Sequence, residues 1–190
     1  MVNFIQNLDW AILNWIAETF QCQFLDSFMP IFTAICNHGE IWILIGLILL
    51  LPKKYRIYGI ILLIGLLMSL LICNMGLKHL VMRPRPSWLN PEYILLIANP
   101  TDYSFPSGHT TSSFVAATIL TLTNRKFGYW AIPLAILLAF SRLYLYVHFP
   151  SDILAGVIIG TAIGLVTFFV MRKIFRRFCN NCLLEKDRGL

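Results

Sequence analysis

Three histidines, of which His79 is read as packed or solvated and His109 and His148 as candidates for chemistry, fall with an aspartate and four basic residues within three short stretches of an otherwise weakly charged chain. These stretches read KHLVMRPRP (78–86), PSGH (106–109) and SRLYLYVHFPSD (141–152). Lys78, Arg83, Arg85 and Arg142 lie beside strongly apolar runs, where an unpaired charge is expensive to bury. Acidic residues are too few to neutralise them, with Asp152 nearest and Glu92 and Asp102 on the intervening loop. Forked guanidinium donors match phosphate oxygens and a lysine adds a point charge, so a phosphate or diphosphate is the natural guest.

The second and third stretches add groups that could act on such a guest. Pro106 disfavours a helical conformation at Phe105, so a helix is expected to start just after it. Ser107 can cap that helix, Gly108 lets an anion come close to the backbone, and first-turn N–H groups bind phosphate oxygens. His109 then projects from the same turn. Further on, Pro150 turns the chain into a new helix and places Asp152 four residues after His148. A carboxylate there can accept the proton of one imidazole nitrogen and leave the other free to attack. His109 can protonate the departing oxygen, and the cations can stabilise the transferring phosphoryl group. Two histidines and an aspartate could instead hold a metal. Clustered Lys and Arg would repel a divalent ion, however, and no HExxH pattern occurs. Neither a metal nor another cofactor is expected.

The elements that carry these stretches must be membrane helices. Of 190 residues, 58% are hydrophobic and 13% charged, too few charges to cover a soluble domain of this size. Runs such as YGIILLIGLLMSLLICNMGL (58–77) reach the ~20 apolar residues needed to span a bilayer. Five spans are expected, at about 28–51, 56–77, 108–124, 128–147 and 152–171, in a single all-α integral membrane bundle covering 1–190. Residues 1–22 mix Asn, Asp and Glu with Trp and Phe, which suits an interfacial helix. They carry no Lys or Arg before residue 20, so a cleaved signal peptide is not expected. Asn37, His38, Gly39 and Glu40 fall inside the first span, either as a functional group or as a polar kink.

Eleven of the fifteen Lys and Arg residues lie in the 52–56 loop, the 125–126 turn and the tail 172–190. By the positive-inside rule these mark the cytoplasmic face, with 172–190 as a cytoplasmic basic tail. Lys78, Arg83, Arg85 and Arg142 then gather on the extracytoplasmic surface with both histidines. The five cysteines are scattered and odd in number, against a disulfide framework. Cys179 and Cys182 form a CNNC pair with no second pair to complete a zinc site.

Together the three stretches resemble the motifs of the type 2 phosphatidic acid phosphatase superfamily of membrane lipid phosphatases. Lys, six residues and Arg-Pro matches Lys78, Arg85 and Pro86, and Pro-Ser-Gly-His is intact at 106–109. Ser-Arg, five residues, His, three residues and Asp matches Ser141, Arg142, His148 and Asp152. The resemblance implies a metal-independent phosphatase in which His148 is the nucleophile, Asp152 orients it and His109 protonates the leaving group. It implies that Lys78, Arg85, Ser107, Gly108 and Arg142 hold the phosphate. Arg83 lies outside the strict motif and is a candidate for a second phosphate or a lipid headgroup. A small chain with an outward site resembles bacterial undecaprenyl diphosphate phosphatases. Phosphatidate or phosphatidylglycerol phosphate would suit the same anion cluster. A phosphatase acting on a soluble phosphate ester, or a non-enzymatic phospholipid binder or transporter, is the remaining alternative. The partners expected are the membrane and a lipid phosphate, with no nucleic acid.

Overall fold

A computed structural model of the chain describes residues 2–34 and 39–186, with side chains over 4–34 and 39–177. All regular structure among the described residues is helical. In chain order the helices are α1 (Val2–Phe20), α2 (Gln23–Ala34), α3 (Glu40–Leu50) and α4 (Arg56–Ser69), the last running on through a π-helical segment, Leu70–Leu77. Then come α5 (Lys78–Val81), α6 (Pro86–Leu89), α7 (Gly108–Thr123), α8 (Arg125–Tyr144) and α9 (Pro150–Lys186). Cys36, Asn37 and His38 lie outside the described residues, as do the side chains of Cys179 and Cys182. Cys22 and Cys73 are free thiols.

Three helical stretches are long and apolar enough to cross a membrane: Arg56–Leu89, Arg125–Tyr144 and Pro150–Arg177. In the stretch expected as one span at 28–51, the helix is interrupted at Gly39, whose φ of 79° belongs to the left-handed region and cannot continue a right-handed helix. Helix α2 is described as far as Ala34 and α3 from Glu40. Helix α3 is a shorter apolar helix. Helix α1 is not among the membrane-crossing candidates; it packs against α8 and α9 through buried Leu13 and Ile16 while exposing Phe4, Leu8 and Trp15.

The 16-residue α7 is the central element, packed by α4, α8 and α9. Being enclosed by protein, it carries polar side chains where a lipid-facing helix could not. Thr110, Thr111 and Ser113 are all buried, and Trp42 Nε1 of α3 donates to Ser113 Oγ at 3.0 Å. Val115, Ile119 and Leu120 continue α7 into the apolar core with Ile61, Leu62, Leu138 and Phe168.

The contact between α7 and α9 depends on glycines spaced one helical turn apart, Gly156, Gly160 and Gly164. A Cβ at Gly160 would lie 2.5 Å from the carbonyl oxygen of Thr111, and one at Gly164 would lie 2.8 Å from Thr118 Cβ. Without apolar attraction between helices inside lipid, close backbone approach of this kind is what binds them. It also sets the spacing of the two helices whose N-termini carry His109 and Asp152. Gly160→Leu is expected to destabilise the bundle by about 1–3 kcal/mol, read as earlier thermal unfolding in detergent. Ile158→Leu, on the exposed side of the same helix, is expected to leave the transition unchanged.

Candidate active site

The three stretches meet at one end of the bundle. The π-helical segment widens the turn that delivers Lys78, which is 5% exposed. Met82, with φ 48°, then reverses the chain, and Arg85 occupies the N-cap position of α6 with Pro86 following it. The chain returns through the loop 90–107 to α7. Helix α8 ends at Tyr144, and His148 lies in the turn before α9. Asp152 sits in the first turn of α9 and reaches back to accept the N–H of Phe149 at 2.9 Å. This is the reciprocal arm of a capping box.

Lys78, Arg85, Gly108, His109, Arg142 and His148 line a single cavity of about 780 Å³. Two of its polar atoms are buried without a hydrogen-bond partner, His109 Nε2 and Arg142 Nε. Arg142 is otherwise tied to α2 by Nη1, which donates to Thr33 Oγ1 at 2.8 Å. Buried polar atoms are nearly always satisfied, so this pair marks a place for an acceptor. Asp102, from the loop, lies across the other two cations. Its carboxylate accepts from Lys78 Nζ and, at 2.7 Å, from Arg85 Nη2. Partial burial works to raise its pKa, but the Lys78 hydrogen bond and the Arg85 charge outweigh this and hold it well below the usual carboxylate range.

His148 is held from both sides of its ring. Nε2 lies 3.1 Å from Arg85 Nη1, which also donates to the Val147 carbonyl at 2.7 Å. A guanidinium has donors only, so Nε2 presents its lone pair and the ring proton resides on Nδ1. The direct hydrogen bond expected from Nδ1 to Asp152 is not made. Their separation is 3.7 Å, beyond hydrogen-bond range, because Asp152 is engaged elsewhere. Its Oδ2 takes the Phe149 N–H and the Ser104 hydroxyl, and its Oδ1 takes Arg83 Nη1 at 2.6 Å. Ser104 Oγ is 3.3 Å from His148 Nδ1 and touches both groups from one side.

Other expected site residues fall away from the cavity. Ser107 occupies the N-cap position of α7, yet its hydroxyl makes no capping bond and instead accepts from Thr110 Oγ1 at 3.0 Å. It is fully buried and does not line the cavity. Gly108 does line it, but the tightest approach to its Cβ position is by Asn74 Oδ1 at 2.8 Å, so a side chain there would strike the π-helical segment. Arg83 does not line the cavity either. Its Nη2 donates to Asp9 Oδ2 at 2.6 Å and to Gln6 Oε1 at 2.9 Å, its Nη1 to Ser151 and Asp152, and its guanidinium covers the Phe149 ring. Nothing in the type or spacing of Ser104, Asp9 or Thr33 singles them out in the sequence.

The sequence matches the PAP2 superfamily over residues 58–176. The chain belongs to that superfamily. Among its relatives is an undecaprenyl-diphosphatase of Sulfolobus acidocaldarius, 35% identical over 73% of this chain and 68% of the relative. A lipid A 4'-phosphatase of Bacteroides thetaiotaomicron is 31% identical over 93% of this chain and 83% of its own. The fold is shared with a PAP2-type phosphatidylglycerolphosphate phosphatase of Bacillus subtilis, at a TM-score of 0.70 and 24% identity over 92% of this chain and 88% of that one. The protein is accordingly a PAP2 phosphatase, helical and embedded in the membrane.

In this PAP2 phosphatase the turn holding His148 sets its charge state. Burial, followed by the Arg85, Arg142 and Lys78 charges, pushes its imidazole well below the ordinary value near 6.5. A depressed histidine pKa means the neutral ring persists as pH falls through the ordinary value. In a nitrogen-15 histidine NMR titration of the protein in micelles, His148 is expected to remain the neutral Nδ1–H tautomer at pH 6.5. A midpoint above that value would contradict the arrangement described.

Proposed function

We propose that the protein removes the terminal phosphate from a lipid diphosphate, with undecaprenyl diphosphate as the substrate, through a phosphohistidine intermediate. The observation that carries this is a single cavity lined by both a cationic and an apolar set of side chains. The unpartnered His109 Nε2 and Arg142 Nε belong to it with Lys78, Arg85 and His148. Pro30, Ile43, Leu63, Leu66, Leu67 and Leu70, from α2, α3, α4 and the π-helical segment, line it too. Leu67 and Leu70 are 53% and 48% exposed, on a stretch apolar enough to face lipid. A phosphate head anchored at the cations therefore directs its tail toward the membrane.

In the first step the lone pair of His148 Nε2 forms a bond to phosphorus while the bond from phosphorus to the bridging oxygen breaks. The electron pair leaves on that oxygen, which takes a proton from His109. In the second step His109 takes a proton from water, and the resulting oxygen attacks phosphorus. The N–P bond breaks, its electrons return to Nε2, and inorganic phosphate leaves. Lys78, Arg85 and Arg142 hold the phosphoryl oxygens throughout and stabilise their charge. Asp102 gives up its place on Lys78 and Arg85 to the entering phosphate. The same charges make the cradle unsuited to a divalent ion, and among the described residues no three His, Cys, Asp or Glu side chains are grouped to hold one.

The positive-inside rule supports a site on the extracytoplasmic face, since Arg172, Lys173, Arg176 and Arg177 cluster at the far end of α9. A second substrate class, the phosphate of a lipid A-type glycolipid, is favoured by the relative that matches over nearly the whole chain. Phosphatidate and phosphatidylglycerol phosphate complete the comparison.

The test is phosphate release by purified protein in detergent with EDTA, from each of these four lipids. Undecaprenyl diphosphate is expected to give the highest kcat/KM, undiminished by the chelator. A faster lipid A reaction would transfer the assignment to the second class, and lipid binding without turnover would remove the enzymatic proposal. His148→Ala is expected to lower kcat by ~10³-fold or more. His109→Ala is expected to cost about 10²–10⁴-fold, and less for substrates whose leaving group needs no proton. Full activity of His148→Ala would eliminate it as nucleophile.

A further inference from the structure

We propose that Ser104 is a positioning residue for the nucleophile, its hydroxyl linking the carboxylate of Asp152 to Nδ1 of His148. The aspartate then acts on the histidine through a serine and not by direct contact. This inference rests on the assignment of His148 as the attacking group.

The direction of each hydrogen bond follows from what its partners can do. Arg85 cannot accept, so the Nε2 lone pair faces it and Nδ1 carries the proton. The Asp152 carboxylate accepts from Arg83 and the Phe149 N–H, and the Ser104 hydroxyl likewise donates to its Oδ2. The Ser104 oxygen is left with its lone pairs toward Nδ1, 3.3 Å away. The chain of donors runs one way: His148 Nδ1–H to Ser104, and Ser104 O–H to Asp152.

The carboxylate is also prevented from closing the 3.7 Å gap itself. Its Oδ2 is capped by the Phe149 N–H at 2.9 Å and its Oδ1 by Arg83 at 2.6 Å. Arg83 is in turn fastened to Asp9 of α1, and Asp9 Oδ1 and Oδ2 also accept from the Ser151 backbone and hydroxyl at 2.8 and 2.6 Å. Swinging Asp152 toward His148 would break this brace. Ser104 is fixed on its side by its own N–H, which donates to the Arg83 carbonyl at 2.9 Å, and it is fully buried.

As the N–P bond forms, positive charge develops on the ring and the Nδ1 proton becomes a stronger donor. The serine then passes that charge toward Asp152. Such a contact strengthens in the transition state, so its loss lowers kcat and leaves phosphate affinity alone.

Ser104→Ala and Ser104→Gly are compared with the parent using undecaprenyl diphosphate and, separately, phosphatidate. Inorganic phosphate binding reports on the folded site. Either hydroxyl-free variant is expected to lose about 10²-fold in kcat, with KM and the Kd for inorganic phosphate within twofold. Added to Asp152→Asn, the serine substitution is expected to cost nothing further, since both act on one path. A kcat within twofold of the parent would overturn the proposal. So would a parallel loss of phosphate affinity, or an additive loss in the double variant, which a merely structural serine would produce. His148→Ala, run alongside, separates the failures. If it is active, the nucleophile assignment is wrong; if it is dead while both serine variants are fully active, only the relay is.

Discussion

Three cations at the end of a helical bundle, Lys78, Arg85 and Arg142, are each no more than 5% exposed, and the protein gives them only part of the negative charge they require. Removing such ions from water costs several kcal/mol each unless partners replace the lost hydration. Asp102 serves Lys78 and Arg85. Arg142 has the Thr33 hydroxyl, and its Nε is left without a partner. The deficit is the feature to which the rest of the site is fitted. A bundle that satisfied these groups internally would be more stable and would offer nothing to the phosphate of the proposed substrate.

The two carboxylates near the cations differ in the way this requires. Asp152 is fully buried, and its oxygens are filled by Arg83, Ser104 and the Phe149 N–H. Asp102 belongs to a loop, and its side chain is 54% exposed. Water can take over the hydration of Asp102 when an anion displaces it, so exchanging one counterion for another costs little. No such exchange is open to Asp152. Exposure thus divides the negative charge into a fixed part that orients the proposed nucleophile and a replaceable part that keeps the cradle paired when empty.

Much of this was legible in the sequence. Lys78, Arg85, His109, Arg142 and His148 could be placed at one end of the bundle because each stands at the boundary of an apolar run, and alternating runs bring alternate boundaries together. Helix α7 was legible from Pro106. The break between α2 and α3 was less so, since a glycine in an apolar stretch signals neither its φ nor which neighbours permit the turn. Arg83 was misplaced for a related reason. Its type and position match a headgroup ligand as well as an internal brace, and only Asp9, more than seventy residues earlier on α1, decides between them. Ser104 was invisible because a serine in a loop is ordinary. Its proposed role rests on touching both His148 Nδ1 and Asp152 Oδ2, two residues of a different segment.

The N-terminal helix therefore has a different standing from the one its composition implies. An amphipathic helix rich in Trp and Phe could be held by the membrane surface alone. Here its Asp9 is 3% exposed, and it accepts from Arg83 and from both donors of Ser151. A charged residue is buried on a helix only where its partners fix its position, so the placement of α1 is coupled to that of α9 and the 83–85 segment. The same contacts that dock this helix hold the Arg83 guanidinium against Asp152. Docking of α1 and alignment of the carboxylate are one structural event, which ties the N-terminal helix to the proposed nucleophile's surroundings.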